Sequence, residues 1–110
     1  MDEQRMVRPT HLILEDMLIQ ALRFKHQSLN ALAIEFFGRI GTDAVPRLLL
    51  EASSRKNGPT HRVRVLQAIA RIGAVSDPLD LMTLALLLLD QSAEVRSAAD
   101  LALKQIHHRS

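Results

Sequence analysis

One short pattern recurs three times along the chain and constrains its fold more than any other feature. The copies are FFGRIG, AIARIG and ALKQIH, which begin at Phe36, Ala68 and Ala102 and so lie 32 and 34 residues apart. Aligned helical positions i, i+3, i+4 and i+7 carry apolar residues in every copy: Ala33, Val65 and Ala99; Phe36, Ala68 and Ala102; Phe37, Ile69 and Leu103; Ile40, Ile72 and Ile106. This spacing predicts three related helices, each with one buried face.

A further helix is predicted before each of these three. Residues 14–22 and 45–52 carry apolar stripes, and Leu81–Leu89 is apolar nearly all round. Residue types that cap the starts of helices precede the segments: Thr42 or Asp43, Thr60, Asp77 before Pro78, and Ser92. Gly41 and Gly73 stand where a left-handed residue would end a helix. The predicted pairs are about 11–24 with 27–40, 43–54 with 60–72, and 78–90 with 92–107.

These helix pairs must stack, because a pair of this size cannot bury its apolar face alone. The chain has 110 residues, of which 47% are apolar, and β-branched residues are sparse. We therefore predict an all-α protein, built as a superhelical array of three antiparallel helix pairs. It forms a single domain over residues 1–110, with repeats at about 11–41, 42–74 and 76–107.

The stretch LLLLDQSAEVRSAADLALKQI, residues 86–106, resembles the HEAT-type repeat and in particular its short bilin-lyase-like variety. The matching positions are Asp90, Val95, Arg96, Ala99, Ala102, Leu103 and Ile106. The second repeat departs in its longer turn, SSRKNGPTH, and the first repeat is degenerate. The resemblance implies an α-solenoid of the armadillo-like kind. It also implies that Arg96, and Arg62 aligned with it, bond the aspartate or backbone of a neighbouring turn, with Asp90 as the natural partner of Arg96.

Chemistry-bearing patterns are sparse in this sequence. There is no cysteine, no glycine-rich phosphate loop, no recognisable nucleophile triad and no His-Glu dipeptide of the kind that HEAT-like hydroxylases use to bind iron. The five histidines include no i, i+4 pair. We therefore predict no enzyme activity, no cofactor and no metal site.

The longest apolar run is too short for a membrane span, which needs about 20 residues, and MDEQRMVRPTH lacks the apolar core of a signal peptide. We expect a soluble cytoplasmic protein that makes no membrane contact.

A basic interval is the best candidate for a binding surface. Glu51 and Asp77 enclose a segment with no acidic residue, although the net charge of the whole chain is only +2. The candidate partner-binding residues are the cations of this segment and one arginine of the first repeat: Arg39, Arg55, Lys56, Arg62, Arg64 and Arg71. Such a surface suits an acidic protein or a nucleic-acid backbone, although a solvated loop has the same composition. If this surface binds the partner, the double change Arg62→Glu with Arg64→Glu should weaken partner binding more than stability.

Two further surfaces follow from the predicted register. Residues opposite the apolar stripes describe a shallow, mildly basic groove along the second helices: Glu35, Gln67 and Leu101; Gly38, Ala70 and Lys104; Arg39, Arg71 and Gln105. The apolar first helix of the third repeat should leave leucines exposed for a homodimer or a permanent partner, unless the terminal helix covers them.

The favoured function is thus a protein-interaction or scaffold module. The alternative is a weak nucleic-acid backbone binder. An accessory lyase or hydroxylase activity, which only the family resemblance suggests, ranks third.

Overall fold

The computed structural model describes residues 10–109, and within them every regular element is a helix. The α-helices are α1 (Thr10–Arg23), α2 (Gln27–Ile40), α3 (Val45–Ser53), α4 (Pro59–Ile72), α5 (Pro78–Leu86) and α6 (Ala93–Arg109). A 3-10 turn, Gly41–Ala44, leads into α3, and another, Leu87–Leu89, follows α5. The all-α prediction is confirmed for this part of the chain. The predicted segments 43–54 and 78–90 each combine an α-helix with one of these tighter turns.

Side-chain caps begin three of the helices. The Asp77 carboxylate accepts the Leu79 backbone N–H at 2.9 Å, and the Ser92 hydroxyl accepts that of Val95 at 3.4 Å, as their positions in the sequence predict. The sequence did not indicate the cap of α2, where His26 Nδ1 accepts the Leu29 N–H at 3.0 Å. Thr60 was predicted to cap α4 but lies inside its first turn, because Pro59 already fits the first helical position.

Glycines end α2 and α4 in a backbone conformation that other residues adopt at a cost. Gly41 and Gly73 have φ values of 81° and 70°, and their N–H groups bond the carbonyls of Phe37 and Ile69. At Gly73 the last residue of α6 also lies close, since Arg109 donates to the Ile72 carbonyl at 3.3 Å. A side chain at Gly73 would clash with Arg109, and the residue would also have to adopt an unfavourable positive φ.

Helices α2, α4 and α6 lie side by side, with α4 between the other two. Helix α1 packs on α2, α3 packs on α4, and α5 contacts both α3 and α6. The resulting body is elongated, with extents of 48 × 31 × 24 Å. Its core lies between the two sets of helices and holds the aligned residues Ala33, Val65, Ala99, Phe37 and Ile69.

The two outer helices of this layer bury less of their predicted stripes than α4 does. Phe36 is exposed and Leu103 is half-buried, whereas the matching residues of α4, Ala68 and Ile69, are fully buried. Within residues 10–109, α4 has a neighbour in the layer on each side, but α2 and α6 each have one. The prediction that Phe36 is buried is therefore wrong, because aligning the copies ignores their positions within the layer.

Phe36 and Phe37 provide a matched test of this packing. Phe37 has no exposed surface, while 38% of Phe36 is accessible to solvent. We expect Phe37→Ala to lower the free energy of unfolding by about 3–5 kcal/mol, since it removes a large side chain and leaves a cavity. Phe36→Ala should cost about 1 kcal/mol or less. Urea unfolding of the two variants checks this, and equal losses would contradict the register of α2.

Candidate interaction surfaces

Arg62 is part of the core structure and is not a surface residue. Only 5% of it is exposed. Its Nε donates to the Ala52 carbonyl at 2.7 Å, and its two terminal nitrogens lie 2.5 and 3.3 Å from the two carboxylate oxygens of Asp90. It thus ties the end of α3 to the turn before α6. The structure gives no support to the prediction that Arg62 binds a partner, because its guanidinium is buried and its hydrogen bonds are made within the chain.

Asp90 organises the turn between α5 and α6. Its carboxylate also accepts the Ser92 backbone N–H at 2.9 Å, and its backbone carbonyl accepts a bond from Arg96 at 2.6 Å. Arg96 therefore reaches the backbone of Asp90 and not the carboxylate, which Arg62 occupies. Hydrogen bonding from Arg62 is the main reason that the pKa of Asp90 lies below its usual value, and the bond from Ser92 adds to it.

The α4 arginines Arg64 and Arg71 also have partners within the chain. Arg64 Nη1 donates to the carbonyls of Leu22 and Phe24 at 3.0 and 3.3 Å and so satisfies the end of α1. Arg71 forms a two-point ion pair with Glu35 across α2 and α4, at 2.9 and 3.1 Å. The hydrogen bond and charge of Arg71 lower the pKa of Glu35. Both side chains are exposed, so this pair contributes little to stability.

The remaining candidates are exposed but do not form one basic surface. The Arg39 guanidinium lies 5.7 Å from the centre of the Phe36 ring, and its charge also lowers the pKa of Glu35. Arg55 and Lys56 lie in the turn between α3 and α4, where the charge of Arg55 lowers the pKa of Asp90. The structure therefore brings Arg39 and Arg71 together around one acid, and Arg55 and Arg62 around another. Each group of cations is partly neutralised.

A groove crosses the layer from α2 over α4 to α6. One depression of about 510 Å³ lies between the α1–α2 turn and α4, another of about 350 Å³ lies between α4 and α6, and a third of about 290 Å³ adjoins both. Gln67, which lines all three, joins them into what we call the α4 groove. Gln67, Ala70 and Leu101 belong to the rows from which the sequence predicts a groove. The sequence did not indicate Lys25 and His26, which lie in the α1–α2 turn.

Helix α5 presents an exposed apolar face. The exposed fractions are 72% for Leu79, 61% for Met82, 59% for Leu86 and 80% for Leu89. These four residues, which we call the α5 leucine surface, follow a helical spacing that places them on one side. The leucines buried from this segment are Leu84 and Leu87. The prediction that leucines of the third repeat stay exposed is confirmed, and α6 packs against the segment without covering this face.

A polar cluster with one buried member, His61, joins α1, α3 and α4. Glu51 accepts hydrogen bonds from Arg23 at 2.9 Å and contacts His61 Nε2 at 3.0 Å, while Asn57 bonds the Glu51 carbonyl at 2.9 Å. His61 is thereby buried with a polar partner. The cluster contains one histidine and one carboxylate.

In residues 10–109 no three metal-ligating side chains lie together, and no helix there is long and apolar enough to cross a membrane.

No protein-family model, curated protein or solved structure matches this chain. The resemblance to HEAT-type repeats therefore stays a prediction from the sequence. The functional interpretation depends on the surfaces described above.

Proposed function

We propose that the protein is a non-enzymatic protein-interaction module whose three helix pairs stack as a HEAT-like array. The α5 leucine surface carries this proposal. Soluble monomers rarely expose a contiguous apolar patch of more than a few hundred Å², and larger patches usually mark interfaces. Here four large side chains, each more than half exposed, lie on one side of α5 and the 3-10 turn that follows it. Covering them with a protein partner would remove this apolar area from water.

The partner best suited to this surface is a second copy of the chain. Asp77 and Asp80 lie at the start of α5, and Arg55 lines a depression with Leu86 and Leu89 at its end. Two copies related by a two-fold axis, with their α5 helices antiparallel, would place the acids of one copy beside Arg55 of the other. Burial and the neighbouring Asp77 raise the pKa of Asp80, so a cation from a second copy would offset an unfavourable charge.

The stacked arrangement is supported by the order of the helices in the layer. Helices α2, α4 and α6 carry the three copies of the repeated pattern and lie next to one another in chain order. The Arg62–Asp90 pair links α4 to the turn of the following helix pair, so it joins one unit to the next. Arrays of stacked helix pairs present an extended surface that several units share, and such surfaces commonly bind protein partners.

The nucleic-acid alternative has less support than the sequence indicated. Arg62 is buried, Arg71 is paired with Glu35, and Arg64 is bonded to backbone carbonyls. Titration with double-stranded DNA and single-stranded RNA at two salt concentrations separates the two functions. We expect no binding at either concentration, because few free cations remain together. Binding at low salt that falls steeply as salt is added would favour the nucleic-acid function.

Affinity capture with matched baits tests the interaction function. The full chain and its Leu86→Glu, Leu89→Glu variant are used as baits in an extract of the native cell. Leu50→Glu with Leu32→Glu is the control, since both leucines are exposed outside α5. We expect proteins that the wild type and the control retain and the α5 variant loses. Identical sets of proteins on all three baits would contradict a role for the α5 leucine surface in binding.

A further inference from the structure

The α4 groove has one polar, cationic end. Its first depression is lined by Lys25, His26, Arg64 and Gln67 together with residues of α2, and no carboxylate is among them. Among residues 10–109, Lys25 forms no ion pair. Arg64 uses Nη1 for the end of α1, which leaves its other N–H groups available. His26 accepts a backbone N–H at Nδ1, so the proton of its neutral ring lies on Nε2. This end therefore offers hydrogen-bond donors and positive charge.

The other end of the groove is apolar. Its depression lies between α4 and α6 and is lined by Val63, Ala70, Ala98 and Leu101, with Glu94 and Ser97 beside them. Leu101 is 57% exposed, and the alanines leave space at the base of the depression. Such a depression fits one bulky aliphatic side chain.

The two ends are separated by α4, and Gln67 stands between them. The depressions lie on either side of one helix, so their centres are about 8–10 Å apart, which is the usual spacing of packed helices. A peptide in the polyproline II conformation rises about 3.1 Å per residue and has three residues per turn, so side chains three positions apart lie on the same side and span this distance. The exposed Gln67 side chain offers one carbonyl and two N–H groups, which match the unpaired backbone groups of such a segment.

We propose that the α4 groove binds a peptide segment of a protein partner in the polyproline II conformation, in which an aspartate or glutamate precedes or follows a bulky aliphatic residue by three positions. The acid lies against Lys25, His26 and Arg64, and the aliphatic side chain fills the depression beside Leu101. This inference rests on the proposed interaction function, but it concerns a different surface from the α5 leucine surface. Charge complementarity at one end and apolar burial at the other distinguish this segment from other peptides.

Selection from a displayed library of random peptides, with the full chain as target, tests the proposal. We expect enriched peptides with an acid about three residues from Leu, Ile or Met.

A synthetic copy of the most enriched peptide is then titrated by fluorescence anisotropy against the wild type, Lys25→Glu and Leu101→Asp. Each variant should bind it at least about tenfold more weakly, since each removes one charge or apolar contact. Both residues are exposed, so thermal melts should stay unchanged. A peptide with lysine in place of its acid should regain binding to Lys25→Glu.

The outcomes separate this inference from the function on which it rests. Failure to enrich acid-and-aliphatic peptides, or equal binding of the selected peptide by the wild type, Lys25→Glu and Leu101→Asp, would overturn the groove assignment. The Leu86→Glu, Leu89→Glu variant should bind the peptide as the wild type does. The capture experiment with that variant tests the proposed function independently, because the variant's two substitutions lie outside the α4 groove.

Discussion

Asp90→Ala is expected to lower the free energy of unfolding by about 3–5 kcal/mol, because it leaves the buried Arg62 guanidinium without its carboxylate. The same change removes the acceptor of the Ser92 N–H at the turn before α6. Asp100→Ala is the matched control, since Asp100 pairs with Lys104 on the exposed side of α6. Removing this exposed ion pair should lower the free energy of unfolding by about 0.5 kcal/mol or less. Urea unfolding at neutral pH measures both values, and equal small losses would contradict a structural role for the Arg62–Asp90 pair.

Acidification provides a second measurement of the same pair. Because the folded-state pKa of Asp90 is depressed, its contribution to stability is present above the unfolded-state pKa of about 3.9 and is lost as pH falls through the folded-state value. The wild type should therefore lose more stability on acidification than Asp90→Ala does. Replacing both partners, as in Arg62→Met with Asp90→Leu, should restore much of the stability lost in Asp90→Ala, because no buried charge remains unpaired.

The same burial changes the expected effect of Arg62→Glu with Arg64→Glu. A glutamate at position 62 would face Asp90 in a buried site, so the double variant should lose stability first. Any loss of binding would then follow from unfolding. The structure therefore replaces the sequence-based expectation for this double variant, because the sequence does not show which arginines of the basic interval are buried.

Local patterns predicted the helices, while contacts between distant residues were not predictable. Apolar spacing and helix-starting residues such as Asp77 act over one or two turns, so they can be read directly from the sequence. The burial of Arg62 depends on Asp90, which lies 28 residues away. The exposure of Phe36 depends on the absence of a layer neighbour on one side of α2 within residues 10–109. Both properties come from how the helices stack.

Of the two candidate surfaces, one was predictable from the sequence and the other was not. The α5 leucine surface was predictable because a helix that is apolar nearly all round cannot bury every side. The cationic end of the α4 groove was not, because Lys25 and His26 reach Arg64 only through the packing of the α1–α2 turn against α4. No spacing in the sequence relates residues 25 and 26 to residue 64.

Leu86→Glu with Leu89→Glu is expected to weaken self-association by at least about 100-fold. Burying one leucine contributes about 1.5–3 kcal/mol, and two losses of that size exceed two powers of ten in the dissociation constant. The added carboxylates would also have to be desolvated in the interface. Stability should change little, since both leucines are largely exposed in the single chain. Isothermal dilution measures the dissociation constant, and Leu50→Glu with Leu32→Glu should leave it unchanged.

Sedimentation equilibrium of the wild-type chain over a range of micromolar concentrations tests the proposed interaction most directly. If two copies pair through the α5 leucine surface, the fitted mass should rise with concentration to twice the 12.3 kDa of one chain. The Leu86→Glu, Leu89→Glu variant should stay at the mass of one chain under the same conditions. A wild-type mass of 12.3 kDa that does not change with concentration would contradict self-association through this surface.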